Sequence, residues 1–393
     1  MTNLGELVVI GGGIGGLSVA AAVAATGRPV RVLERSAQLA EIGAGLQLAP
    51  NATRILARLG VLEQVVAAGV LPRRLVLGDA LDGTELTYLE LGDFPHRYGG
   101  PYVVLHRSDL LDILVGACRR YGVALETSRH VTGTETTGDG VVVHCEDGSR
   151  YEGIAAAAAD GLNSTIRAAL SDDEPVESGF VAYRGAVPIE QATRTAGLAD
   201  VVAWIGPGLH FVQYPLRGGR MYNQVAVFRS RRYAAGHPDW GGPGELDEAF
   251  SVTCQHIRDA MPALWRHAHW AMHDREPLGN WITGRTVLLG DAAHPMLQYL
   301  AQGACQAIED AAALAGALHQ HAATSDDPAS VDKALRAYQE QRIPRATRVQ
   351  GMARTWGDIW HVEGLARTLR NELLRQRPPD DHRHIEWFYG HPA

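Results

Sequence analysis

A mixed α/β fold is what this chain predicts, on three observations. Near the N-terminus an apolar run, a glycine-rich turn and a small-residue helix follow one another. Far downstream, VLLGDAAHPMLQ at 287–298 repeats the order of strand and turn ahead of another helix. Between them, 176–278 reads as short strands punctuated by glycine and proline. The first two describe a Rossmann-like nucleotide-binding domain assembled from separated stretches, and the third an antiparallel sheet interleaved with it. The expected divisions are 1–75, 101–175 and 279–320 for the nucleotide domain, 76–100 and 176–278 for the sheet domain, and 321–393 for a C-terminal helical region.

Leu7 to Ile10 is an apolar run of strand type, Gly11, Gly13 and Gly16 form GxGxxG, and Gly15 to Ala25 reads as a helix. Glycines let the turn approach a pyrophosphate, and the helix N-terminus faces the anion. Pro29 to Leu33 forms a second strand ending at Glu34, 23 positions after Gly11. A carboxylate there accepts a ribose hydroxyl and disfavours a 2′-phosphate, with the adjacent Arg35 as a counterweight. In EIGAGLQLAPNATRIL, Gly43 and Gly45 bring backbone close to a cavity, Gln47 is a candidate for its wall, and Pro50 to Leu59 starts a helix. PYVVLHRSDL leads into a helix opened by Arg107, a cation placed to reach a pyrophosphate or ribityl chain, and running to about Arg120. Val123 to Leu125 and Val141 to Cys145 are strands, closing on IAAAAADGLNSTIR. The strands FVAYRGAVPI, DVVAWIG, LHFVQYPL and YNQVAVF follow. Thr286 to Leu289 is a buried strand, so Asp291 stands at a strand end, where α/β sheets bind ligands. A loop then runs to Gly303, and Ala304 to Leu318 forms a helix whose first turn presents unpaired backbone donors. Residues 329–375 are mostly helical, and the aromatic tail Trp387 to Tyr389 is expected to pack on the body or on a partner subunit.

Composition narrows the function. With 46% apolar residues the 393-residue chain is an ordinary globular protein. No apolar stretch reaches the roughly 18–20 residues that span a bilayer, and no signal segment precedes the first strand, so the cytoplasm is expected. Cys118, Cys145, Cys254 and Cys305 show no CxxC spacing and read as free thiols. A net charge of −8 disfavours a nucleic-acid partner. Neither the 17 histidines as a set nor the loose group His267, His269 and His273 shows metal-ligand spacing, and no metal is expected. A nicotinamide dehydrogenase without a flavin would account for the first glycine motif but leave Asp160 and Asp291 unexplained.

GGGIGG with Glu34, the DG pair Asp160 and Gly161 with Ser164 and Arg167, and GDAAHP at 290–295 together resemble the single-component FAD-dependent aromatic hydroxylases, nearly end to end. GPYVVLHRSDL, AYRG, HFVQYPLRGG, NQVAVF and DREPLGNW are most similar to the 3-hydroxybenzoate 6-hydroxylase branch, with the salicylate hydroxylases as near relatives. One departure is that Ala158 and Ala159 stand where a Gly-Ala pair is usual. The resemblance implies tightly bound FAD, NADH rather than NADPH as transient reductant, molecular oxygen, a small aromatic acid and a homodimer. Its cycle has NADH reduce FAD and oxygen captured as a C4a-hydroperoxide that attacks an activated phenol. The cofactor contacts expected are Gly11, Gly13, Gly16, Glu34, Arg35, Arg107, Val131, Asp160, Asp291, Gly303 and Ala304, with Arg167 reaching FAD or NADH.

Activating the phenol requires a base. His210 and Tyr214 on LHFVQYPL are four residues apart and share one face of a strand. A phenol of pKa near 10 and an imidazole near 6.5 are mismatched by about 5 kcal/mol. His210 therefore needs partners that stabilise the oxyanion, and Tyr214 and Gln298 are the candidates. The expected reaction is para-hydroxylation of 3-hydroxybenzoate to 2,5-dihydroxybenzoate. The alternatives are decarboxylating hydroxylation of salicylate to catechol, or attack on another phenolic or pyridine ring.

Overall fold

The structure, a computed structural model, describes residues 4–40, 45–192 and 198–392. Gly43 lies outside the described residues. A six-stranded sheet runs in the order Ile282–Thr283, Thr286–Leu288, Ala155–Ala158, Leu7–Ile10, Val30–Leu33, Ala124–Glu126, and is parallel except at its first pair. Its central strands are unbroken apolar runs because helices cover both faces. Helix Ile14–Ala24 is buried almost all round, as its uniform small apolar composition requires, packed between helices Arg107–Arg120 and Gly303–Ala322. Strands from both ends of the sequence thus meet in one sheet, with Leu7 beside Ala155 and Ala156 beside Thr286.

A seven-stranded sheet stands beside it, in the order Trp270–Asp274, Val176–Pro188, Met221–Arg229, Leu209–Leu216, Val201–Gly206, Arg74–Asp79, Glu85–Glu90. The sheet expected to be antiparallel is so at every pair but one: Val201–Gly206 runs parallel to Arg74–Asp79, because the latter arrives from the distant 74–90 hairpin rather than through a tight turn. Three short helices, Arg231–Ala234, Pro243–Phe250 and Gln255–Ala260, also interrupt a stretch read as strands. Ser230 caps the first through Tyr233 N, and Pro243 opens the second. Leu246, Phe250 and Ile257 cover one face of the sheet, against Tyr183, Phe211 and Phe228. The opposite face meets Tyr299 and Trp360.

The helical C-terminal region consists of Pro328–Trp360, Gly364–Gln376 and Glu386–Tyr389. The aromatic tail packs on the body: Phe388 and Tyr389 are buried, and the Tyr389 ring lies edge-on to Tyr98 and Tyr102. Arg54 donates to the Tyr389 carbonyl at 2.9 Å. All four cysteines are free. Among the described residues no helix is long and apolar enough to cross a membrane.

Helices 303–322 and 328–360 are joined by a buried ionic network. Arg342 donates to Asp310 Oδ1 at 2.7 Å and to Glu309 Oε2 at 2.6 Å, while Arg345 donates to both Glu309 oxygens. Removing one partner of such a network strands a charge in a low-dielectric interior, at about 3–5 kcal/mol. Arg342→Met is therefore expected to lower the unfolding free energy in urea by about 3–5 kcal/mol; a loss below about 1 kcal/mol would mean that water or a neighbour compensates both carboxylates.

Candidate active site

The glycine turn after strand Leu7–Ile10 is held by close backbone contact. Gly11 has φ +103°, and a Cβ on Gly16 would lie 1.9 Å from the Gly11 carbonyl oxygen. Gly13 differs, since a Cβ there would meet nothing within 4 Å and the residue lines a cavity of about 920 Å³. Glu34 fastens the turn from the next strand: its Oε2 accepts from Gly12 N at 2.7 Å and its Oε1 from Ser36 N at 2.8 Å. Each oxygen keeps a further lone pair for a ribose hydroxyl. Arg35 is exposed beside it. Val131 starts strand Val131–Thr136 with a buried side chain, two residues beyond Arg129, whose N–H donates to the Glu34 carbonyl. Val131 thus stands on the Glu34 side of the glycine turn and does not line the cavity.

Two further segments reach the same cavity. Gly161 faces it with φ +83° and open space at its Cβ position. Asp160 accepts from Thr165 N and Ile166 N through Oδ2, while Oδ1 is buried without a protein partner. Burial raises the pKa of this carboxyl. Asp291 follows Gly290, which has φ +58°, and projects exposed into the cavity opposite Arg107. Burial lowers the Arg107 pKa and the Asp291 charge opposes that. Ala301 adopts φ +52°, a strained turn for a residue with a Cβ, and Gly303 and Ala304 then open the 303–322 helix at the cavity wall. Its first turn offers unpaired N–H donors and the positive end of a helix of 20 residues.

These features fit FAD: three bare glycine backbones, at 13, 161 and 303, face one space. A carboxylate oxygen of Asp160, between the cavity-lining Ala159 and Gly161, is buried without a partner, and a cation and a helix N-terminus at the cavity are placed for anionic groups. Arg167 does not reach the cavity. Its guanidinium is spent on Asp173 and on the carbonyls of Ala292, Ala293 and Glu276, so it ties the DG segment to the GDAAHP turn. Ala159 lines the cavity, its carbonyl close against Gly11.

At the other end, strand Leu209–Leu216 presents His210, Val212 and Tyr214 to the cavity, as period-two alternation requires. The Tyr214 ring lies on the bare backbone of Gly45, where a Cβ would come within 2.4 Å. Burial raises the Tyr214 pKa. Gln47 lines the cavity and accepts from Tyr102 Oη at 2.5 Å. Gln298 stands on the opposite wall, with Arg184 Nη2 at 3.5 Å from its Oε1. No direct hydrogen bond joins His210, Tyr214 and Gln298; the cavity brings them together.

Two residues here were not singled out from the sequence. Arg184, on strand Val176–Pro188, enters the cavity with no carboxylate partner among the described residues. Burial lowers its pKa and Tyr214 counteracts that. The available signal was a cation inside the apolar run FVAYRGAVPI. His361 follows the 328–360 helix and places Nε2 2.9 Å from His210 Nδ1. Nothing local in the sequence points from one to the other. Burial, then the Arg229 and Arg370 charges, bring the His361 pKa down to about 3, and burial, then His361, holds His210 well below its ordinary value.

The chain matches the FAD binding domain family over residues 5–353. It is 38% identical to 3-hydroxybenzoate 6-hydroxylase of Polaromonas naphthalenivorans (strain CJ2), over 98% of this chain and 95% of that one. Among solved structures, the complex of Klebsiella pneumoniae HpxO with FAD and uric acid superposes with a TM-score of 0.82 at 28% identity, covering 95% of this chain and 93% of that chain. A substrate complex of salicylate hydroxylase gives 0.79 at 25% identity, covering 100% and 97%.

Gly13→Ala is expected to leave the unfolding midpoint of the flavin-free protein unchanged while lowering the 450 nm to 280 nm absorbance ratio; Gly16→Ala should lower both. Full flavin retention by Gly13→Ala would remove that turn from the cofactor site. A second expectation concerns acid. His361 titrates near 6.5 when unfolded but stays neutral in the fold down to about 3, so the unfolded chain binds more protons between these values and stability falls as pH drops. The contribution lost by pH 5 is about 2 kcal/mol. Urea unfolding of His361→Gln between pH 7 and pH 5 should be correspondingly less acid-sensitive, and an unchanged slope would contradict this.

Proposed function

This chain belongs to the FAD binding domain family, and we propose that within it the protein is an NADH:oxygen monooxygenase that hydroxylates 3-hydroxybenzoate para to its hydroxyl, giving 2,5-dihydroxybenzoate. The observation that carries the reading is the substrate end of the cavity. A half-buried arginine without a carboxylate partner among the described residues, Arg184, shares it with a buried imidazole, His210, among apolar and aromatic walls. Partial burial of a cation without a counter-ion carries a desolvation cost, and an aromatic anion offsets that cost. A 38% identity over nearly the full length to a 3-hydroxybenzoate 6-hydroxylase supports the same choice of ring.

Gly13, Gly161, Asp160, Asp291, Arg107 and the start of the 303–322 helix are proposed to hold FAD, with Glu34 on its ribose and Arg35 and Val131 at the adenosine end. When bound, FAD supplies the oxygen activation. The chain's own residues prepare the phenol. With Nδ1 engaged by His361, His210 has Nε2 left to accept the phenolic proton. Burial makes His210 a weaker base than free imidazole, so the mismatch of about 5 kcal/mol grows and the oxyanion must be stabilised directly. The Tyr214 hydroxyl, the Gln298 amide and the Arg184 charge, held in place before the ring binds, supply that stabilisation.

NADH in preference to NADPH is carried over from the family resemblance of the motifs. Four free thiols suit the reducing cytoplasm. The homodimer expected from the sequence finds its support in the exposed Leu365, Leu369 and Leu373, on one face of helix 364–376.

The test is NADH and oxygen consumption by the flavin-loaded enzyme with 3-hydroxybenzoate and, separately, with salicylate, the products identified by chromatography and mass. The expected product of the first is 2,5-dihydroxybenzoate without loss of carbon dioxide. Catechol from salicylate as the main productive reaction would replace this reading by the decarboxylating one. His210→Asn should lower kcat by about 10²–10⁴-fold, as loss of a general base does. Arg184→Met should chiefly raise KM, and an unchanged KM would free Arg184 from substrate binding.

A further inference from the structure

Resting on that reading, we propose that His361 is a positioning and relay residue: the His210–His361 pair carries the phenolic proton out of the cavity to the surface beside Arg229. The geometry is directional. His210 lines the cavity and is 1% exposed, whereas His361 is not among the residues lining it and is 8% exposed. The two rings lie nearly parallel, centroids 5.1 Å apart, with His210 Nδ1 2.9 Å from His361 Nε2. Phe180 stacks on the far ring at 4.5 Å, and the exposed Arg229 lies over Phe180 at 5.2 Å. The His361 backbone is pinned too, its carbonyl accepting from Gly208 N and its N–H donating to Gly357 O.

The pairing also differs from that of the other fully buried histidine. His294 meets a carboxylate, Asp310, at 2.6 Å. No carboxylate is hydrogen-bonded to His210 or His361 among the described residues. The groups facing the pair are the Tyr299 and Trp360 rings, the Arg229 and Arg370 cations, and Asp358, whose charge acts on Tyr299. Two cations beside His361 discourage a resident charge, so a proton that reaches it moves on.

The tautomers follow from the task. For His210 Nε2 to accept, its own hydrogen must sit on Nδ1 and be donated to His361 Nε2, which places the His361 hydrogen on Nδ1. The phenol O–H bond breaks and His210 Nε2–H forms; the His210 Nδ1 proton passes to His361 Nε2; the His361 Nδ1 proton leaves to water. Both rings end neutral with their hydrogens exchanged, and one proton has left the cavity.

The experiment mixes FAD-loaded enzyme with 3-hydroxybenzoate in weak buffer, without NADH. Phenolate is followed by its ultraviolet absorbance and the released proton by an indicator dye. In the wild-type enzyme both signals should appear together; if neither appears, the assignment of His210 as base fails, and the outlet with it. His361→Gln retains an acceptor for His210 Nδ1–H, so substrate affinity should stay within about 2-fold while proton release slows about 10-fold or more and recovers with added imidazole. Release at the wild-type rate in this variant overturns the outlet. Should the variant not fold, the wild-type rate of release in mixtures of light and heavy water decides: a curved dependence marks several protons in flight, and a linear one overturns the relay.

Discussion

Two adjacent carboxylates, Glu309 and Asp310, sit fully buried on the inner face of the 303–322 helix, and most of the site depends on how they are neutralised. Asp310 accepts from Gly290 N and from His294, which fixes the GDAAHP turn and with it the direction of Asp291. Glu309 accepts from Asn51 at the start of the 50–58 helix, behind the strand that carries Gly45 and Gln47. Arg345, having bound Glu309, donates onward to the carbonyls of Trp387 and Phe388 and so holds the aromatic tail at the cavity wall. Burying ions is expensive unless every lone pair and proton finds a partner. Here that requirement couples four stretches of chain into one arrangement.

The same economy of contact shapes both ends of the cavity. At the glycine turn the glycines differ, Gly16 because the Gly11 carbonyl occupies the place of a Cβ, and Gly13 because it faces the open cavity. At the substrate end Gly45 and Gly357 admit the Tyr214 and Tyr299 rings against bare backbone. Rigid aromatic walls then surround the polar groups of His210, Gln298 and Arg184. Such preorganisation lets a few polar groups act on a bound ring without reorganising as charge develops.

Much of this was legible in the chain because it is encoded over short spans. Hydrophobic runs, glycine spacing and the acid at Glu34 identify a nucleotide-binding unit, and period-two alternation places His210 and Tyr214 on one face of their strand. The parallel pairing of 201–206 with 74–79 escaped notice because strand neighbours distant in sequence leave no local trace. The short helices of 231–260 escaped because their apolar positions answer to the sheet they cover. Arg167 has the right type and neighbourhood for a cofactor contact, yet Asp173 and three carbonyls claim it.

By itself, then, the sequence determined which residues lie on a common strand face, which turns need glycine, and the kind of ligand those turns can take, since each follows from backbone geometry within a dozen residues. Tertiary structure alone decided which side chains share the cavity and what each is bonded to. Arg184 facing Gln298 and His361 behind His210 are separated by 114 and 151 positions in the chain. Their meeting depends on two sheets and a long helix packing at fixed angles, and on buried polar groups finding partners wherever the fold supplies them.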